Sequence, residues 1–382
     1  MSPPVCAPAA DAVRVLLPLR LDETVMPVLG ARLHGVDGAS MGTTWRVLWV
    51  ADGGRAADQR HEQEAAVRAA VQAELDCVIA QMSHWRPDSD LGRFNRASAG
   101  TVVRLPTAFA EVLSAGLRLA DLSGGAFNPA AGALVNLWGF GPSSDLLDPP
   151  GVHKRYDEAG FHMPTQAAAQ TALGLCDWRA LRFDGRDCIV QPGGVQLDFS
   201  AIAKGYAVDR IVSRLRAMGL AHLLVEVGGE LRGAGYGLGG QPWWVELESP
   251  SAASHAGLPR TRIALHGLSV ATSGDYRRCY TRDGQRLPHT IDPRDGRPIA
   301  HGLASVSVLH EECLWADAWS TALTVLGLEP GLALAREHGI AALFVQRVQR
   351  EPDQGGEGEA FREVLTPALQ ALAGASDEDE AP

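Results

Sequence analysis

One stretch constrains the chain more than any other: Gln196-Leu197-Asp198-Phe199-Ser200-Ala201-Ile202-Ala203-Lys204-Gly205-Tyr206-Ala207-Val208-Asp209. Up to Phe199 it reads as the end of a strand. From Ile202 to Met218 the spacing of Val208, Ile211, Val212 and Leu215 predicts a helix that Gly219 ends. Ser200 is expected as its N-cap, because a hydroxyl can accept from the unpaired amides of the first turn. A strand feeding a helix start offers free N–H groups and the positive end of the helix dipole, a place suited to an anion. Lys204, one turn in, adds a full charge. From this stretch alone, an ordinary strand–helix junction with a surface lysine is the simpler reading.

With 382 residues the chain can bury a large core, in one complex domain or two closely joined lobes. A hydrophobic share of 46% and a mean hydropathy near zero belong to a soluble globular protein. The net charge of -11 argues against nucleic acid as a partner, since no broad basic face can be drawn from it. Part of that acidity lies in the tail Asp377-Glu378-Asp379-Glu380, which reads as solvated. The six cysteines, Cys6, Cys77, Cys176, Cys188, Cys279 and Cys313, form no CxxC pair and no zinc spacing, and read as reduced and structural. The apolar run Val13 to Leu19 is broken by Arg14 and flanked by Asp11, Arg20 and Asp22, which fits no secretory signal. No later segment suits an integral membrane span, so the chain as written is expected in the cytoplasm.

In chain order, Met41 to Val50 alternates as a strand after a tight turn, and Gln59 to Met82 is a helix. Ser83 to Asn95 is a loop with a short helical turn. Its Trp85 lies outside any apolar run and reads as a lid on the core or as a stacking platform for a flat ligand. Phe109 to Leu122 is a helix, and the small residues from Gly125 to Gly141 let backbone approach something closely. Residues 180–198 give two short strands around Asp184-Gly185. Leu223 to Leu231 is a buried strand that breaks at Gly228-Gly229, and more strands are expected at Trp243–Leu247, Thr261–Leu265, Ala304–Leu309 and Ala341–Val345. Helices are expected at Leu314–Leu326 and Leu332–His338, and a Gly/Glu-rich loop at 349–360. Strands in hairpins mixed with helices, without strict alternation, define an α+β fold.

The helix at 314–326 carries chemistry of its own. Asp317 and Thr321 are four apart and Ser320 three, so their oxygens leave one helix face. Hard cations such as Mg²⁺ take oxygen ligands of this kind. A capping Asp and a hydroxyl bonding back to its own helix make the plainer alternative.

Together these segments resemble the ApbE family of flavin transferases, from about Met41 to about Gly327. The matching stretches are Met41-Gly42-Thr43, Ser83 through Asn95, Gly125 through Gly141, Asp198 through Asp209, Val227-Gly228-Gly229, Thr272 through Arg277, His289 through Pro298, and Ala316 through Gly327. The resemblance implies T-fold-like mixed sheets with helices and an FAD/Mg²⁺ cleft between lobes. It implies an N-terminal segment over 1–30, the transferase domain over 31–348, and a loop, short helix and acidic tail over 349–382. The implied reaction cleaves the FAD pyrophosphate and transfers FMN to a Thr or Ser hydroxyl of a target flavoprotein, releasing AMP.

By the same resemblance, the Ala201 carbonyl and the side chains of Asp317 and Thr321 hold the metal. Met41, Trp85, Ala126, Phe127, Asn128, Asp198, Lys204 and Ile291 line FAD. Mn²⁺ suits the same oxygens as Mg²⁺. Lys204 and the metal would neutralise pyrophosphate charge. His289 is the candidate base, its imidazole titrating near neutrality, against the alternative that it only supports the Ile291–Pro293 turn. Two positions depart from the family's usual pattern: Asn128 stands where Asp is common, and Ser320 where a second acidic ligand sometimes occurs. Family members are also often exported and tethered, and this N-terminus shows no such signal. The alternatives are an FAD pyrophosphatase giving free FMN and AMP, and a protein that binds FAD without transferring it.

Overall fold

The computed structural model describes residues 13–373 except 22–23, 52, 55, 143–154, 159–160, 249, 251–257, 276–278, 283–284 and 349–359. Cys6, the acidic tail, most of the Gly/Glu-rich stretch, and Tyr276 and Arg277 lie outside the described residues.

An eight-stranded antiparallel sheet organises the fold. Its strands run in the order Ala360–Leu365, Ala341–Val348, Leu303–His310, Ser269–Gly274, Glu230–Ala234, Leu223–Val227, Thr43–Ala51 and Arg32–Ser40. Alternation decides which face each residue joins. Trp45, Val47 and Trp49 point into one core, while Leu48 and Val50 point into another. On the first face lie the helices Ala57–Met82, Ala203–Ala217 and Cys313–Leu326, whose apolar stripes fill the larger core. The second face is covered by a three-stranded sheet of Val13–Leu16, Arg260–Leu265 and Trp243–Glu246, and by the helix Pro367–Leu372. The fold is α+β, and no sheet among the described residues closes into a barrel.

Several expectations need correcting. The turn before Met41 is the tip of a hairpin whose first strand, Arg32–Ser40, sequence alternation did not show. Its glycines hid it: a Cβ on Gly35 would lie 2.8 Å from Leu48 Cδ2, and one on Gly38 would lie 2.7 Å from the Trp45 ring. Ser200 is not the N-cap. The helix starts at Ala203 after Ile202, with no side-chain cap, because Asp198 Oδ1 takes the Ser200 N–H at 2.7 Å and the chain makes one more turn. Leu223 to Leu231 is a hairpin of two strands, Leu223–Val227 and Glu230–Ala234. Beyond 348, Ala360–Leu365 is the outer strand of the sheet. Ahead of 31, Val13–Leu16 pairs in parallel with Arg260–Leu265, so folded elements lie on both sides of the expected domain limits. Cys77, Cys176, Cys188, Cys279 and Cys313 are free thiols. Among the described residues no helix is long and apolar enough to cross a membrane.

Candidate active site

The central helix, Ala203–Ala217, and the second helix, Cys313–Leu326, meet at a residue without a side chain. A Cβ on Gly205 would lie 2.7 Å from the Cys313 carbonyl carbon and 2.8 Å from Asp317 Cβ, so only glycine permits the approach. That closeness lets the Gly205 N–H donate to Asp317 Oδ2 at 3.0 Å. Asp317 is therefore buried, 3% exposed, and not the peripheral helix residue that an isolated reading of its face suggests. At the helix start Asp209 accepts from the Cys313 and Leu314 N–H groups, at 3.0 and 2.8 Å. It thereby caps the second helix across the interface and also pairs with Arg232.

Lys204 precedes Gly205 and reaches between two carboxylates. Its Nζ lies 3.6 Å from Asp317 Oδ1 and forms an ion pair with Glu230. Burial works against the lysine charge, but Asp317 and Glu230 outweigh it and hold the ammonium well above the usual lysine range. Burial pushes the Glu230 carboxyl up, with Lys204 opposing it. Glu230 Oε2 is buried and has no hydrogen-bond partner among the described residues. The Gly228-Gly229 turn that delivers Glu230 is tight: Gly228 has φ 65°, and a Cβ there would lie 3.3 Å from Lys204 Cδ and 2.9 Å from Thr43 Cγ2. Thr43, two residues past the hairpin tip at Met41 (φ 52°), is thereby brought against the turn beside Lys204.

One turn along the second helix, hydroxyls gather. Ser273 Oγ lies 2.8 Å from Ser320 Oγ and 2.9 Å from Thr321 Oγ1, and Ser320 Oγ donates to the Asp317 carbonyl at 2.8 Å. Asp317, Ser320 and Thr321 thus form one patch with Lys204 at its edge. Ala201 lies in the turn before the central helix, packed against the main core.

The strand end at 196–198 gathers the remaining segments. Asn95 brackets Leu197 with both ends of its amide, at 2.7 and 2.9 Å. Ala131 bridges Gln196, and the Asp198 N–H donates to the Pro129 carbonyl at 2.9 Å. This places Ala126, Phe127 and Asn128 near Asp198 along the chain, but not as free groups. Ala126 and Phe127 are buried, and their N–H groups donate to Ser123. The Asn128 amide is also occupied, donating to the Cys176 carbonyl and accepting from the Ala130 N–H, both at 2.8 Å. Hydrogen bonding of this amide to a flavin or adenine edge, as expected from sequence, would have to displace one of these. The donated bond also explains why an amide stands here, since a carboxylate has no proton to give Cys176.

Asp198 faces His84, whose Nδ1 lies 3.5 Å from Asp198 Oδ1. Trp85 follows at 44% exposure, and the Arg155 guanidinium lies 5.2 Å from its ring centroid. His289 and Ile291 belong to a further layer. Ile291 is buried with Leu134 and Trp138, and its strand packs on the second helix. The His289 ring lies 6.2 Å from Phe140, beside the stacked Tyr156 and Tyr280. The structure thus joins Lys204 and Asp317 directly, links Thr321 to the Asp317 carbonyl through Ser273 and Ser320, and sets Thr43, two residues after Met41, against the Gly228 turn. It groups Asp198 with the 126–131 segment and sets His289 against Phe140. Sequence reasoning missed Glu230 and His84, and gave Asp209 and Ser273 no role. Glu230 had a signal, an acid directly after a Gly pair that ends an apolar strand; Asp209 had none.

An α+β fold that holds a partly buried lysine between two carboxylates at a helix–helix contact defines the class of this protein. The ApbE family model matches residues 41–344, and the chain belongs to that family. It is similar to the FAD:protein FMN transferase of Klebsiella pneumoniae (strain 342), 34% identical over 338 residues and 88% of each chain. The FAD:protein FMN transferase of Haemophilus influenzae is 33% identical over 321 residues, covering 83% of this chain and 87% of that one. Among solved structures, the Pseudomonas stutzeri flavinyl transferase ApbE in its apo form superposes with a TM-score of 0.75 at 37% identity. That match covers 92% of this chain and all of the other, 100%. The flavin transferase ApbE from Vibrio cholerae gives 0.73 at 30%, covering 90% and 99%.

Proposed function

We propose that this chain is an FAD:protein FMN transferase, acting on FAD and on a Thr or Ser hydroxyl of an acceptor flavoprotein. The observation that carries the reading is Lys204, fixed between Glu230 and Asp317 at the Gly205 contact. A charged lysine held in this way suits a ligand rich in phosphate oxygens, where charge must be neutralised as a P–O bond breaks. The acceptor oxygen bonds to the phosphorus on the FMN side of the pyrophosphate. The bond from that phosphorus to the bridging oxygen breaks, and AMP leaves with that oxygen and the electron pair. The hydroxyl proton passes to a base, for which His289 is the proposal.

The donor set also fits a divalent cation. Asp317 and Glu230 flank the ammonium, and hard cations take carboxylate, hydroxyl and carbonyl oxygens. Asp317, Thr321 and the Ala201 carbonyl would hold Mg²⁺, or Mn²⁺ on the same oxygens, which supplies charge neutralisation at phosphate when bound. Met41, Trp85, Ala126, Phe127, Asn128, Asp198 and Ile291 are the proposed FAD lining, with Ala126 and Phe127 contributing backbone carbonyls. The test is purified protein with FAD, Mg²⁺ and a tagged acceptor, read by in-gel flavin fluorescence and AMP release. Covalent fluorescence with AMP is the expected result. AMP alone would make the protein a pyrophosphatase, and neither product would reduce it to FAD binding.

A further inference from the structure

Three hydroxyls beside Asp317 form a chain whose direction can be worked out. Each has one proton to give. A carbonyl can only accept, so the bond between Ser320 Oγ and the Asp317 carbonyl uses the Ser320 proton. Ser320 then faces Ser273, 2.8 Å away, as an acceptor, and Ser273 must be the donor. With its own proton committed, Ser273 can only accept from Thr321, 2.9 Å away. This is the one arrangement in which all three protons are used. In the reverse order Ser320 would donate to Ser273 and Ser273 to Thr321, giving up the bond to the Asp317 carbonyl and leaving the Thr321 proton without a partner among these groups. Thr321 therefore points its proton at Ser273 and turns its lone pairs away from the strand, on the helix face it shares with Asp317.

We infer that Ser273, in strand Ser269–Gly274, is a positioning residue for a cation at Asp317 and Thr321. It fixes the Thr321 hydroxyl as an acceptor, through a relay ending on the backbone of Asp317 itself. The inference rests on the metal reading above. It also gives Ser320 a use. A carboxylate at that position would have no proton for the Asp317 carbonyl, and a neutral hydroxyl completes the chain. Thr272, the neighbour of Ser273, bonds Ser307 on the adjoining strand at 2.8 Å and takes no part.

The experiment measures Mn²⁺ binding to the full chain without FAD, by the loss of the free-ion electron paramagnetic resonance signal. Ser273→Ala should weaken binding by about three- to tenfold, the scale of one hydrogen bond, while apo thermal unfolding shows that the variant is folded. In a Thr321→Val background the same substitution should change nothing further, because its only route to the ion has gone. Ser273→Thr, which keeps the hydroxyl, should restore affinity. Wild-type affinity in Ser273→Ala overturns the inference, and so does an equal loss in both backgrounds. Asp317→Ala is the control on the underlying reading: if it binds Mn²⁺ as wild type does, the cation site is elsewhere and the relay falls with it.

Discussion

The Asn128 amide gives a proton to the Cys176 carbonyl and takes one from the Ala130 N–H, and a carboxylate can do only the second. The Cys176 carbonyl keeps its bond from the Trp178 N–H at 3.0 Å, so Asn128→Asp should cost about 0.5–1.5 kcal/mol, the worth of one lost hydrogen bond. Urea denaturation checks it, and an unchanged midpoint would show that the turn tolerates the charge. Trp85 is half-exposed with Arg155 against its ring, so its truncation leaves the core intact. Trp85→Ala should weaken FAD binding by about 1–2 kcal/mol, the worth of an aromatic contact, in a fluorescence titration of a protein with unchanged melting temperature. Asp317 has a structural and a chemical task that two substitutions separate. Asn can still accept from Gly205 N–H, so Asp317→Asn should melt near wild type yet lose metal-dependent AMP release; Asp317→Ala should lose both. If Asp317→Asn retained full AMP release at limiting Mg²⁺, the carboxylate charge would have no part in the reaction.

Between elements, the controlling distance is the approach of the two helices at Gly205. Gly205→Ala puts a methyl group against Cys313 and Asp317, and overpacking of this kind costs about 1–3 kcal/mol. The helices should part, so Mn²⁺ affinity should fall together with stability; a variant that melts lower but binds the ion normally would separate the two. The two ends of the second helix carry a pH dependence, His310 ahead of its start and His301 beside its last turn. His301, close to Gly327, and His310 titrate below the ordinary 6.5 because burial disfavours the charged ring. For His301 the Val325 and Thr324 carbonyls oppose that effect in part. With folded values below unfolded ones, their contribution is complete above about pH 6.5 and is lost as pH falls through the folded values. Melting temperature should drop from about pH 7.5 to about pH 5.5, less steeply in His301→Gln, and an identical slope would remove His301 from the account. Much of this was legible in the sequence. Strong periodicity located both helices to within about a residue or two, and Asp317 and Thr321 lie one turn apart on the second. What it could not show depends on partners far along the chain: Asp209 capping a helix 104 residues later, Glu230 meeting Lys204, and strand Arg32–Ser40 masked by glycines under Trp45.

At the scale of the molecule, the termini close the second face of the sheet. Leu16 is fully buried with Leu369 and Leu372, and the Leu17 N–H donates to the Leu372 carbonyl at 2.8 Å. A chain beginning at residue 31 loses that strand and uncovers the Pro367–Leu372 helix. Its amides at 367–372 should then exchange hydrogen much faster than in the full chain, and equal rates would make residues 1–30 dispensable. The second helix lies at the other extreme. With 11 of its 14 residues buried and sheet and helices packed around it, it has no solvent face from which to fray. Its amides belong with those that open only when the whole molecule unfolds. The proposed cation ligands are then as durable as the fold itself: chelation strips the ion without dismantling its seat, and a depleted protein needs only the salt returned to it, with no refolding step, to regain its capacity.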